Sequence, residues 1–278
     1  MAKTTRLVKT FLRLLLPAVL LILLALVGAS VWLTYRTAAP PTAKYIMTPE
    51  KYGQLSSRGA QVTDETWSNK DGSTSRGWLL RGADNAPAVI LFHKYGADRS
   101  HVLNLGVKLN ESTNFTVLMP DLRAHGDNPS VKNTSFGGCE SEDAVAAVEF
   151  LKNLKNANQL NLVGNIGVYG IELGSLAALN IAAKEPSIKA IALDSVPRDS
   201  DELVTETVGR RFPFASRITS ELAKLGTYIY FYDGCYKRET SCDLAKRIGN
   251  RKILLVGGID EPMLQESTSK LAKCFPNS

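Results

Sequence analysis

Histidine is scarce in this chain, and its placement is as telling as its number. The 278 residues hold three, His93, His101 and His125, and none follows residue 125. The four cysteines, Cys139, Cys235, Cys242 and Cys274, include no C-x-x-C pair and lie mostly far in sequence from the histidines. That spacing excludes the usual metal clusters, and neither a metal nor a cofactor is expected. An excess of one charge is also absent from most of the chain. The formal charge is +6, but residues 1–51 carry seven Lys/Arg against one acid, Glu50, and account for all of it. The remaining residues hold 26 basic and 26 acidic side chains, so no nucleic-acid partner is expected. There is no internal repeat, and outside one apolar run there is no low-complexity tract.

That apolar run is Leu14–Leu33, twenty residues without a charge, preceded by Lys3, Arg6, Lys9 and Arg13. At 1.5 Å per residue it covers ~30 Å, the hydrocarbon thickness of a bilayer. Pro17 near its start is tolerable in a membrane helix. More Lys/Arg precede the run than closely follow it (Arg36, Lys44), which predicts a cytoplasmic tail at 1–13, a single-pass anchor at 14–35 and an extracytoplasmic domain. Trp32 and Tyr35 suit the outer interface. The alternative is a cleaved signal peptide with Val27-Gly28-Ala29 as its processing site, and then a secreted protein. Four cysteines fit an oxidising compartment and allow three pairings; Cys235 and Cys242 close a short loop and are the expected bridge.

Beyond a polar linker at 36–55, the domain at 56–278 alternates strand and helix patterns. Gln61–Ser68 and Thr74–Leu80 flank the turn Asn69–Gly72. Ala88–His93 and Phe115–Pro120 are continuous apolar runs, as in strands buried on both faces of a parallel sheet. Ser100–Asn110, Glu140–Leu154 and Pro262–Lys273 read as helices, and Ile188–Leu193 and Ile253–Val256 as further strands. The stretch 198–250 is less regular and is expected to be a cap. The pattern predicts an α/β fold with a mostly parallel sheet.

The stretch with most chemical content is Asn165–Asn180, NIGVYGIELGSLAALN. A short apolar strand enters Gly170-Ile171-Glu172-Leu173-Gly174 and a helical segment leaves it. Glycines flank so tight a strand–helix turn where there is no room for a Cβ. Two further segments fall at strand ends, Phe92-His93-Lys94-Tyr95-Gly96 and Asp121-Leu-Arg-Ala-His125-Gly126-Asp127. In that order and spacing, over residues 60–273, the three resemble the α/β-hydrolase superfamily, in particular its serine-aminopeptidase-like and esterase-like branch. The resemblance implies that His93–Gly96 is the oxyanion loop, that Gly170–Gly174 is the nucleophile elbow, and that Asp260, after the last strand, holds the place of the triad acid.

The same resemblance exposes two departures. Glu172 stands where the nucleophile is normally Ser, and the histidine expected beyond the acid is absent, as are the final strand and helix, before Ser278. His93 and His125 match structural turn positions. A serine attacks because histidine takes its proton while backbone N–H groups hold the oxyanion. A glutamate there brings a fixed negative charge beside the site of developing negative charge. The expected function is a membrane-anchored binding or scaffold module with a degenerate triad and an unidentified small-molecule or protein ligand. The alternative is a hydrolase of small esters or peptides that uses Glu172 with Asp260. Lys94, where the loop motif has glycine, is expected either to pair with Glu172 or to point to solvent. Ser175 is expected to pack as a small helical residue, Asp194 to cap the next helix, and Tyr228–Tyr232 to pack within the cap.

Overall fold

In a computed structural model, described for residues 2–41, 45, 47–53, 61–156, 162–212, 217–236 and 238–276, the elements follow the predicted alternation. The linker expected at 36–55 falls partly outside those residues, at 42–44, 46 and 54–55. The elements in chain order are α1 (Ala2–Ala38), α2 (Pro49–Gly53), β1 (Val62–Ser68), β2 (Thr74–Leu80), β3 (Ala86–Phe92), a 3₁₀ turn (Arg99–Val102), α3 (Leu103–Thr113) and β4 (Thr116–Pro120). They continue with α4 (Gly138–Asn156), β5 (Leu162–Ile171), α5 (Leu173–Lys184), β6 (Ile188–Asp194), α6 (Ser200–Arg211), α7 (Arg217–Tyr230), α8 (Ser241–Ala245), β7 (Lys252–Val256) and α9 (Pro262–Ala272).

The strands form one sheet in the order β1-β2-β4-β3-β5-β6-β7. β1–β2 and β2–β4 are antiparallel; β3 pairs in parallel with both β4 and β5, and β6 and β7 extend the parallel set. The first hairpin turns at Asn69–Gly72, where Gly72 adopts φ 82° and Asn69 Oδ1 accepts from Ser75 Oγ. All five residues of β4 are buried, as its unbroken apolar run requires.

The two faces of the sheet are covered differently. On one face Leu80, Leu91, Val117 and Met119 pack with Val102, Leu103 and Val107 from the 3₁₀ turn and α3. On the other lies α5, whose residues Leu173–Leu179 are all buried. A helix apolar on every side belongs between layers, and α5 touches β3, β5 and β6 on one side and α4 and α8 on the other. Beyond α3 the first face opens. Register places Val89, Gly167, Ala190 and Lys252 in one row across the strands, and Leu91, Tyr169, Ala192 and Leu254 in the next. These residues, with Leu105 and Leu109 of α3, line an apolar trough of about 430 Å³. Its outer wall is β7, the edge strand among the described residues, where Leu254 is 59% exposed.

The chain divides into two compact units, one of Met1–Thr37 with Val204–Tyr230, the other of Ala38–Leu203 with Phe231–Ser278. In the second, the disulfides are Cys139–Cys235 and Cys242–Cys274, so the Cys235–Cys242 bridge expected from its short loop is wrong. The reason is local. Cys235 lies against the start of α4, where its carbonyl occupies the space a Cβ on Gly138 would need, and its Cα is 4.9 Å from that of Cys139. Cys242 is fixed in the first turn of α8, which Thr240 caps through the Asp243 N–H and Ser241 ties to the Pro197 carbonyl. That placement leaves its Cα 5.3 Å from that of Cys274 just past α9.

Leu15–Ala38 of α1 is a 24-residue segment of mean hydropathy 2.5, long and apolar enough to cross a membrane; a signal sequence meets the same criterion.

Candidate active site

The site forms where β3 and β5 end side by side, with Phe92 paired to Gly170. At the end of β5 the backbone of Glu172 adopts φ 49° and ψ −107°, a conformation that side-chain-bearing residues rarely hold. It is held by its own N–H, which donates to the Asp194 carbonyl, and by its carbonyl, which accepts from Ser175 N and Ser175 Oγ. The flanking glycines are required by contact. A Cβ on Gly170 would overlap the Gly174 carbonyl, and one on Gly174 would lie 2.5 Å from the Phe92 carbonyl oxygen and 2.6 Å from that of His93. The elbow therefore presses directly on the loop that follows β3. Glu172 is 3% exposed, Leu173 is buried, Ile171 is half-buried, and Ser175 packs in α5 with its hydroxyl spent on the elbow carbonyl.

The loop after β3 is braced from below. His93 Nε2 accepts from the Leu122 N–H, so its proton sits on Nδ1, which donates to the Lys94 carbonyl. His125 repeats the device: Nε2 accepts from the Gly96 N–H and Nδ1 donates to the Arg123 carbonyl. Each imidazole thus ties the β3 loop to the turn after β4 as a neutral ring. Burial pushes the pKa of both down to about 4. Tyr95 closes the stack, edge-on to His125 and stacked on Phe136, so its side chain is packing.

The turn after β4 is held in the same manner. Asp121 accepts from Tyr45 Oη at 2.6 Å and from the Arg99 N–H at 2.8 Å; Gly126, at φ 79°, leaves no room for a Cβ beside that carboxylate. The buried Arg99 guanidinium makes a bidentate pair with Asp64 and lies over Trp78. Arg123 makes a bidentate pair with Asp143 of α4. Glu140, fully buried at the start of α4, accepts from Thr134 Oγ1, Ser135 N, Ser135 Oγ and Gly137 N. Nothing in the spacing of Glu140 marked it beforehand, because its donors come from the loop preceding the helix.

The expected residues are not all brought together. At the elbow the loop is met through the Phe92 and His93 carbonyls, while Tyr95 packs on His125 and Phe136. The charges of Lys94 and Glu172 both act on the imidazole of His101, in the 3₁₀ turn, Glu172 raising its pKa and Lys94 lowering it. Burial dominates and leaves the His101 pKa below its ordinary value. Sequence reasoning passed over this imidazole, whose electrostatic link to Glu172 comes from the fold and not from spacing. Asp260 is exposed and makes no hydrogen bond or ion pair among the described residues. Asp194 does not cap α6. Its carboxylate accepts from Ser195 Oγ at 2.8 Å, and Asp199 caps α6 through the Glu202 N–H.

No protein-family model matches the chain. A thiohydrolase of Eupenicillium brefeldianum is 29% identical over 114 residues, which is 41% of this chain and 36% of that relative's length. Among solved structures, an esterase of Pyrococcus furiosus superposes with a TM-score of 0.62 at 21% identity, covering 86% of each chain. The α/β hydrolase GrgF of Penicillium sp. sh18 gives 0.56 at 17% identity, over 78% of this chain and 87% of that one. The domain has the α/β-hydrolase fold, as its three motifs implied.

Proposed function

We propose that this protein is a single-pass membrane protein whose extracytoplasmic α/β-hydrolase-type domain binds a ligand at the elbow without turning it over. Glu172 carries this reading: a carboxylate occupies the nucleophile's strained backbone position. The two histidines nearest the loop support it, since both ring nitrogens of each are engaged in joining main-chain segments and neither serves as a base. A carboxylate at the nucleophile's position lies beside the place where an oxyanion would develop and opposes it. The same carboxylate, with Lys94 and His101 near it, suits a ligand bearing a hydrogen-bond donor or a positive charge.

A second reading, hydrolysis of small esters, thioesters or peptides by Glu172 with Asp260 in support, is favoured by His101, an imidazole within the electrostatic reach of Glu172. The thiohydrolase and esterase relatives make acyl substrates the class to try. The test is turnover of a panel of short activated acyl esters and thioesters by the full chain in detergent, beside Glu172→Ala and His101→Ala. The binding reading expects no turnover above that of Glu172→Ala. Turnover lost in Glu172→Ala and reduced in His101→Ala would overturn it and establish a Glu-based hydrolase.

A further inference from the structure

The end of α1 does not stand free within its own unit. Over its last turns Ser30, Leu33, Thr34 and Thr37 are buried, a stripe at helical spacing, while Val31, Trp32 and Tyr35 on the other side are exposed. Ser30 Oγ donates to the Leu222 carbonyl of α7 at 2.8 Å. One turn on, Gly226 of α7 lies so close that a Cβ there would overlap Thr34 Oγ1 and sit 2.6 Å from Ser30 Oγ. Small residues on both partners let the two backbones approach, as they do between membrane helices. Trp32 also meets Phe212, ring centroids 5.3 Å apart.

The depth of this contact follows from the helix rise. If the charge-free Leu14–Leu33 fills the hydrocarbon, Ser30 lies ~5 Å inside its outer boundary and Thr34 just beyond it. Helix α7 is therefore docked at the level where acyl chains give way to headgroups. Its remaining surface suits that level. Ile218, Leu225 and Ile229 fall at spacings of seven and four along one side, and they are 68%, 51% and 60% exposed. Tyr228 and Tyr230 flank them, exposed, at the last turn. The opposite side, Ser220, Ala223 and Thr227, is buried. A helix apolar on the side turned away from its packing partner needs a second apolar medium.

We propose that α7 is an interfacial helix, with Ile218, Leu225 and Ile229 seated in the headgroup–acyl boundary of the bilayer that α1 crosses. The inference rests on the anchor reading of α1. It makes the segment around α7 a second membrane-contacting element and gives the exposed Tyr228 and Tyr230, within the Tyr228–Tyr232 stretch expected to pack in a cap, a place at its edge.

All four native cysteines are in disulfides, so one introduced thiol can be labelled. The full chain carrying Leu225→Cys, and separately Lys246→Cys as an exposed reference, is labelled with an environment-sensitive fluorophore and reconstituted into phosphatidylcholine–phosphatidylglycerol vesicles. Quenching by lipids spin-labelled high on the acyl chain is compared with quenching by aqueous iodide. The Leu225→Cys probe should favour the lipid quencher over iodide by at least ~3-fold, and the Lys246→Cys probe should show the reverse. A Leu225→Cys probe that behaves like the reference overturns the proposal, as does one shielded from both quenchers, which would mean that protein, such as a second copy, covers the helix. Carbonate washing separates the two layers of inference. A chain released from the vesicles defeats the anchor and α7 together; a retained chain with an iodide-accessible probe defeats α7 alone.

Discussion

The turn network below the elbow and the edge strand β7 belong to one sheet, yet they differ in almost every physical respect. Around His93, His125, Asp121 and Glu140, the carboxylates and ring nitrogens are paired, buried and held by main-chain donors from separate loops. Around β7, Leu254 and Val256 stand exposed, and Asp260 just beyond is bonded to nothing among the described residues. The first region spends its polar groups on fixing a shape; the second supplies neither a shape nor a partner for the acid. The loop and elbow are thus held by many contacts, while Asp260 has no hydrogen bond or ion pair among the described residues. Resemblance of motif reports the frame, and only the contacts of each side chain report the chemistry.

The largest effect that would sharpen this contrast is at Gly174. Gly174→Ala forces a Cβ against the Phe92 and His93 carbonyls, and it should cost about 3 kcal/mol or more in denaturant unfolding of the full chain. A cost near zero would mean that elbow and loop are not in contact. Next is Glu140→Ala, which strands buried donors in the Thr134–Gly137 loop; a loss of roughly 3 kcal/mol is expected by the same measurement.

The third prediction is a pH dependence. The pKa of His125 is pushed down by burial to about 4 from 6.5, so its native contacts count fully above pH 6.5 and are lost as the pH falls through 4. The stability gap between the wild type and His125→Gln should therefore shrink by about 3 kcal/mol between pH 7 and pH 4. Comparing the two proteins at each pH removes the opposing effect of Asp143, whose pKa burial raises to about 6. A gap that stays constant would show that the ring is not buried as a neutral acceptor. The smallest effect is at the other region: Asp260→Asn should change stability by less than about 0.5 kcal/mol, as for an unpartnered surface residue. A larger loss would break the comparison by revealing a partner for the acid.

The strands were legible because burial on both faces leaves an apolar run, as at Ala88–His93 and Phe115–Pro120, and the elbow because its glycines answer to a local steric demand. What escaped depends on tertiary approach. The pairing of Cys139 with Cys235 requires knowing that residue 235 returns to the start of α4. The electrostatic influence of Glu172 on His101 depends on where a 3₁₀ turn carries the ring, and Asp199 rather than Asp194 caps α6 because the chain runs five residues past the strand before the helix begins. Glu140 and Asp260 are both acids near a structural boundary, and nothing in their sequence neighbourhoods separates the one that is fully enclosed from the one in water.

The two disulfides also set how the domain would yield to a mechanical load. Cys139–Cys235 encloses a loop of sequence separation 96 that contains the elbow, and Cys242–Cys274 encloses one of 32 that contains β7. A pull applied between Ala38 and Pro276 cannot extend either loop while its bond is intact. At ~3.4 Å per residue, about 320 Å of slack is locked in the first and about 110 Å in the second. Tethered to a surface and stretched, the oxidised domain would rupture as a short elastic element with the elbow segment spared from extension. In a reducing medium the same pull would run through the elbow, and the chain would reach more than 400 Å further before coming taut.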